Sequence, residues 1–348
     1  MVTMDAVVLD EWGGSLSVTE VERPEPGPGE VLVDVRACGV TRTIENAVQG
    51  GLSDDPAFTP RIPGHEFAGV VAETGAGVTD WAAGDRVLAY FYLTCGHCDR
   101  CRRGRQNQCV NFDGWLGVQR EGAYAEYAAV PARNLLPLPD GASFAEGAVA
   151  TDGLATPLHV CERTGVDDTD TVLVVGAAGR IGVHLAQLAA GRGAHVLAAD
   201  VDDDRLAHVD ALTGDAVTPI DARGDDFAER AREATRFGEG PTVAVDTVGD
   251  LDTIRDAWDA LAMDGDLVTL TTHHERSFAP ELADFVVKEA SLVGSRYATM
   301  DQVVRAARLL ADGRVEADYT ETLGLGEVAD YHAAVRAGET HGMGVLEP

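Results

Sequence analysis

Lysine is almost missing: of the 27 basic residues in this 348-residue chain, 26 are arginine and one, Lys288, is lysine. Positive charge as a whole is short, because 58 Asp and Glu leave a net charge of −31. So acidic a surface repels nucleic acid and anionic membranes, which excludes both as partners, and in dilute buffer it repels itself. Concentrated counter-ions shorten the Debye length to about 3 Å at 1 M and remove that strain. The composition therefore points to a halophilic protein of a salty cytoplasm; the plainer alternative is an acidic protein from ordinary surroundings. Long apolar runs are absent too. None approaches the roughly 20 residues that span a bilayer, and no charged-then-apolar start resembles a signal peptide, so the expected location is cytoplasmic. Cysteine is scarce: six, of which four fall between Cys95 and Cys109. That is too few and too clustered for a disulfide scaffold, and suggests a metal in a reducing compartment.

What is present suits a globular protein, with 45% hydrophobic and 24% charged residues and length for two cores. The first 150 or so residues read as β-rich, with short Val- and Leu-bearing runs at 31–35, 69–72, 86–90 and 124–130 between Gly- and Pro-rich turns. Near Thr151 the rhythm changes. A strand at 171–175 leads through a glycine turn into a helical pattern at 181–191 and a strand at 195–200, a βαβ unit. Further strands are predicted at 242–247, 266–271 and 291–294, with amphipathic stretches between them. This alternation implies an α/β, doubly wound parallel sheet. From about Gly294 the series ends, and the chain is expected to return to its first domain.

The turn reads Val174-Val175-Gly176-Ala177-Ala178-Gly179-Arg180-Ile181-Gly182. Glycines there permit a tight turn, backbone approach to a pyrophosphate and close helix–sheet packing, with the helix N-terminus facing the phosphates. A glycine string alone is weak evidence, but the second strand ends in Asp200, about 20 residues on, where an acid accepts hydrogen bonds from both adenosine ribose hydroxyls. Such an acid repels a 2′-phosphate and favours NAD over NADP. The competing reading is one more surface acid beside Asp202, Asp203 and Asp204.

The sharpest motif is Cys95-Gly-His-Cys98-Asp-Arg-Cys101, then seven residues, then Cys109. Four thiolates so spaced surround one Zn2+ tetrahedrally and close it to water, a structural rather than a catalytic site. An iron–sulfur cluster is disfavoured by the fourth spacing and by the lack of a following proline. His97 is not needed as a ligand.

Together with Gly64-His65-Glu66 and the glycine-rich βαβ unit, this lobe resembles the zinc-containing medium-chain alcohol dehydrogenases. Pro28-Gly29-Glu30-Val31, Gly84-Asp85-Arg86-Val87 and Gly122-Ala123-Tyr124-Ala125-Glu126-Tyr127 agree, and the match runs along nearly the whole chain. The resemblance implies a GroES-like β-rich catalytic domain over 1–152 with the zinc lobe at about 94–110, a Rossmann domain over 153–292, and a return to the catalytic domain over 293–348. It also implies hydride transfer between an alcohol and a nicotinamide, a catalytic zinc that polarises the alcohol oxygen, and homodimers or homotetramers joined through the Rossmann sheets.

Departures from the family pattern concern that second zinc. Thr41 stands where a ligand Cys belongs, Ile44 where an Asp supports the ligands, and Asn46 where many relatives carry a proton-relay His. The last ligand position falls on Asp152. His65, Glu66 and Asp152 remain, an imidazole and two carboxylates, able to hold zinc though harder than a thiolate set. Three readings follow: zinc on those three ligands with Thr41 lining the site; Cys38 swung in as a ligand; or no catalytic metal, as in enone or acyl-thioester reductases of the superfamily. By the same resemblance Thr43 receives the alcohol proton and Thr156 lies beside the nicotinamide. Arg42 and Arg205 match basic positions near the pyrophosphate and adenosine, or are ordinary surface arginines. Met343 replaces a further pyrophosphate arginine, and Cys161 reads as a buried thiol. The function expected is alcohol, polyol or sugar oxidoreduction on a small-molecule alcohol or aldehyde. The alternatives are a metal-independent enoyl- or acryloyl-thioester reductase and a nucleotide-binding protein without turnover.

Overall fold

The computed structural model describes residues 2–271, 276–340 and 342–348. The chain divides into two compact units, one of Met1–Ala155, Ala298–Gly313 and Ala317–Pro348, the other of Thr156–Tyr297 and Arg314–Glu316.

In the second unit, six strands form one parallel sheet in the order Val217–Asp221, His195–Asp200, Thr171–Val175, Val243–Asp246, Asp266–Thr269, Ser291–Gly294. The central strands are apolar on both faces, as a parallel sheet covered by helices requires: Val172, Leu173, Val174 and Val175 are all buried. Leu173 and Val175 turn to one side, where they join Phe227, Ile254 and Trp258 in a single core. Each such side chain contributes roughly 1.5–3 kcal/mol on leaving water. The order is that of a doubly wound Rossmann sheet, reversing beside Thr171–Val175, where such sheets place their ligands. Val217–Asp221 was not visible in the pattern; it is an edge strand, where Pro219 is tolerated without an N–H to give.

The first unit is built on Glu30–Val40, which pairs antiparallel with Phe67–Thr74, Tyr127–Pro131 and Met343–Leu346. Val31, Leu32 and Val33 are fully buried. Arg86–Ala89 and Leu135–Pro137 extend the sheet on one side and Tyr319–Leu323 on the other. A separate hairpin pairs Thr3–Leu9 with Leu16–Glu22. The strand expected from Tyr124 begins only at Tyr127, because the Tyr124 amide turns to the Pro63 carbonyl. A helix at Phe144–Val149, capped by the Ser143–Glu146 box, runs on through a π-helical turn at Ala150–Leu154 into the helix Ala155–Thr164. Among the described residues, no helix is long and apolar enough to cross a membrane.

Candidate functional site

Gly64, at φ +94°, turns the chain into Phe67–Thr74 and leaves His65 and Glu66 fully buried at its entrance. Asp152, 8% exposed, sits on the π-helical turn; such single turns of wide helix are frequent at functional sites. One ligand atom from each of His65, Glu66 and Asp152 lies within 4.8 Å of the others. His65 Nε2 is 3.3 Å from Glu66 Oε1. Oxygen and nitrogen ligands at about 2.1 Å from one tetrahedral ion lie about 3.4 Å apart, so this pair already has the spacing of shared ligands. Phe91 packs edge-on against the His65 ring at 4.5 Å and Trp115 lies 5.9 Å away, an aromatic wall on one side of the imidazole.

Thr41 is extended and buried, at the junction between Glu30–Val40 and the helix Arg42–Val48, and its hydroxyl donates to Glu66 Oε1 at 3.3 Å. Cys38 is three residues earlier on extended chain, so its side chain leaves from the opposite face. It is absent from the His65–Glu66–Asp152 cluster and lies instead against Gly64, where an added Cβ would come within 2.9 Å of its sulfur. Burial, and then the charge of Glu66, push the Cys38 thiol well above its ordinary range. Ile44 is buried, Thr43 half-buried and Asn46 exposed, with Asn46 lying against Gly51. Arg42 donates to the Val335 carbonyl at 3.3 Å. Thr156 is buried near the start of Ala155–Thr164, and Cys161 is buried further along that helix.

The four lobe cysteines converge. Sulfur separations are 3.5 Å for Cys95–Cys109, 3.9 Å for Cys98–Cys109 and 4.0 Å for Cys95–Cys101. Four sulfurs about 2.3 Å from one zinc lie about 3.8 Å apart. Amides of Cys95, Cys98 and Cys101 point at the sulfurs of Cys109, Cys95 and Cys98, which favours thiolates. Burial opposes ionisation of Cys95, but donors from the His97 and Cys98 backbone, with Cys109 and Asn111, bring it down to about 5. Burial, with Cys98 and Cys109 alongside, pushes Cys101 up to about 12. A cation is what such a cluster needs to ionise fully. His97 is exposed and bonds the Cys95 carbonyl.

In the glycine turn, Gly176 has φ +79°, and a Cβ there would meet the Thr247 hydroxyl at 2.5 Å. A Cβ on Gly182 would strike the Gly176 carbonyl at 2.2 Å, so helix and strand approach as closely as a nucleotide turn demands. Gly179 caps Arg180–Ala190 without a side-chain cap, and Arg180 and Ile181 are half-buried in its first turn. Asp200 accepts from the Ala178 amide at 3.1 Å through Oδ2, and from the Val201 amide at 2.8 Å through Oδ1. Arg205 Nε lies 3.4 Å from Asp202.

Sequence reasoning missed Glu45 and His332, both buried and 2.7 Å apart. The one signal was an acid among Ile44, Ala47 and Val48 on the buried side of a short helix; nothing local announced its partner 287 residues away.

Comparison with known proteins agrees with this geometry. The alcohol dehydrogenase GroES-like domain family matches residues 27–140, and the zinc-binding dehydrogenase family matches residues 181–312. An alcohol dehydrogenase of Geobacillus stearothermophilus is 31% identical over 345 residues, 99% of each chain. An acryloyl-coenzyme A reductase of Metallosphaera sedula is 29% identical over 332 residues, 93% of this chain and 94% of its own. The solved structure of a thermostable alcohol dehydrogenase from Pyrobaculum aerophilum superposes with a TM-score of 0.88 at 30% identity, covering 100% of both chains. With both halves of its sequence matched and nearly its full length aligned, the chain belongs to the zinc-containing medium-chain alcohol dehydrogenase family of oxidoreductases.

Proposed function

We propose that this protein is a zinc-dependent dehydrogenase that moves a hydride between an alcohol, polyol or sugar and a nicotinamide cofactor, with NAD preferred. The observation that carries the reading is the buried convergence of His65, Glu66 and Asp152 within 4.8 Å. One imidazole and two carboxylates neutralise a divalent cation and leave a position open for substrate. A bound zinc would supply Lewis-acid polarisation of the alcohol oxygen, and the nicotinamide would accept the hydride. The protein's own groups do the rest. Thr41 holds Glu66 through its hydroxyl and lines the site without serving as a strong ligand. Thr43 accepts the alcohol proton at its hydroxyl oxygen while passing its own hydroxyl proton on to water. Asn46, whose amide cannot titrate, orients its neighbours where relatives relay protons through His. Thr156 packs beside the nicotinamide. Gly176, Gly179, Arg180, Ile181 and Gly182 cradle the pyrophosphate, Asp200 the adenosine ribose, and Arg42 and Arg205 supply positive charge. Cys95, Cys98, Cys101 and Cys109 hold a second, structural zinc.

The wider setting is part of the same proposal: a cytoplasmic enzyme, salt-requiring, acting as a dimer or tetramer. Leu282, Val286, Val287 and Leu292 are exposed on and beside the edge strand Ser291–Gly294, an apolar edge suited to a second copy.

One further reading has a specific observation behind it. Thr41 replaces a thiolate ligand and spends its hydroxyl on Glu66, and a relative over 93% of the chain is an acryloyl-coenzyme A reductase. Chelation separates the two. If the proposal holds, removing the looser zinc abolishes NAD+ reduction across an alcohol panel in molar potassium chloride, and added zinc restores it. Full activity in a chelated protein with one zinc per chain would overturn it in favour of enone or acyl-thioester reduction. NADH binding without turnover of any alcohol or enone would point to a nucleotide-binding protein.

A further inference from the structure

Behind the His65–Glu66 corner lies a second set of buried polar side chains that hydride transfer does not use. Glu45, on Arg42–Val48, is 4% exposed, and His332, on the helix Val328–Ala337, is 2% exposed. The Glu45 carboxylate lies 2.7 Å from His332 Nδ1 and accepts at 2.7 Å from the guanidinium of Arg336, whose side chain is half exposed. His332 Nε2 is 3.1 Å from the Tyr124 hydroxyl, and that hydroxyl also lies 3.3 Å from the Gly39 carbonyl. With Nδ1 facing the Glu45 carboxylate, Nε2 is the acceptor that faces the phenol, whose single proton is shared between it and the Gly39 carbonyl.

A buried acid–imidazole pair is a poor device for stability alone, because packed apolar side chains of equal volume do as well. What this one does is hold a ring. Tyr124 is fully buried and fills the slot beside Gly64, where an added Cβ would meet its Cδ1 at 2.5 Å. Gly39, whose carbonyl the phenol reaches, donates its own amide to the Glu66 carbonyl at 2.7 Å. One side chain therefore touches both the strand end that leads into Thr41 and the glycine that precedes His65. Burial above all pushes the phenol well above its ordinary range, so it stays an O–H donor.

We propose that Glu45, His332 and Tyr124 form a positioning chain that locks Gly39 and Gly64 and so holds Thr41, His65 and Glu66 at the spacing of a metal site. Arg336 supplies the counter-charge at the solvent end. The proposal rests on the reading of His65, Glu66 and Asp152 as zinc ligands.

The test is zinc release to a colorimetric chelator in molar salt, for the wild type, Tyr124→Phe, His332→Phe, the double variant and His332→Gln. Tyr124→Phe removes one hydroxyl and so guards against simple failure to fold. The looser zinc should leave about tenfold faster from either Phe variant, equivalent to 1.4 kcal/mol, and the lobe zinc at an unchanged rate. With zinc resupplied, kcat should fall while KM for NAD holds. The double variant should be no worse than the singles, since the groups act as one chain. His332→Gln keeps an acceptor for the phenol and should lie nearer the wild type. Equal release rates in all five proteins, or lowered melting temperatures with unchanged release, would overturn the proposal and leave the metal reading intact. A wild type that holds only one, slowly released zinc would overturn both.

Discussion

Asp200 ends its strand with both carboxylate oxygens held by backbone amides, at 3.1 Å from Ala178 and 2.8 Å from Val201. Oδ1 also accepts from the Asp202 amide at 3.3 Å, and Oδ2, with one donor, keeps acceptor capacity for a ribose hydroxyl. Repulsion of a 2′-phosphate and the loss of ribose hydrogen bonds together are worth about 100-fold in kcat/KM, or roughly 2.8 kcal/mol. Asp200→Asn keeps an acceptor for Ala178 and removes the charge, so it should narrow the preference for NAD while leaving the turn intact. Asp200→Gly should narrow it further or reverse it. A wild-type kcat/KM higher with NADP than with NAD would refute the assignment.

At the scale of elements, the cysteine lobe is a small loop folded around four converging thiols and the π-helical turn a widened piece of helix. The lobe has little core of its own: Cys95 and Cys98 are partly exposed, and the helix Asp99–Arg102 is four residues long, capped by the Cys98 sulfur accepting from the Cys101 amide. A loop so short would draw its stability from a bound ion. The Cys101→Ser, Cys109→Ser double variant should lose one zinc per chain, melt at a lower temperature and be nicked by protease near 95–110. It should still transfer hydride at low temperature. Metal analysis that finds the full wild-type zinc content in this variant would reject the lobe as a zinc site. The π-helical turn acts differently, by carrying Asp152 to within 4.8 Å of His65 and Glu66.

For the whole molecule, a net charge of −31 is the dominant long-range term. Arginines offset it locally: Arg223 pairs with Asp203 and Asp221, Arg230 with Asp226 and Arg305 with Asp301. Exposed pairs of this kind contribute little to stability, too little against an excess of 31 acids. Screening must do the rest, over about 10 Å at 0.1 M and about 3 Å at 1 M salt. The expected outcome is an oligomer with a sharp melting transition in molar potassium chloride that dissociates or unfolds in tens of millimolar salt. Sedimentation and calorimetry showing the same assembly and the same Tm in both conditions would remove salt dependence as the meaning of this composition.

Sequence alone determined whatever depends on local spacing. The βαβ unit, the glycine turn and Asp200 are set by alternation and by steric need within about 30 residues. The cysteine lobe lies within fifteen consecutive positions, so the convergence of its four thiols was legible before any folding. The strands His195–Asp200 and Ser291–Gly294 fell where their apolar runs predicted them. Other strands did not: Leu16–Glu22, Tyr319–Leu323 and Met343–Leu346 have exposed or short apolar faces, and their pairing supplies the order their patterns lack. Tertiary structure alone decided that Cys38 stays outside the His65–Glu66–Asp152 cluster, that Asp152 reaches it on a π-helical turn, and that Glu45 meets His332 across 287 residues. Those outcomes follow from how elements pack, and packing is a property of surfaces brought together, which no single stretch of chain encodes.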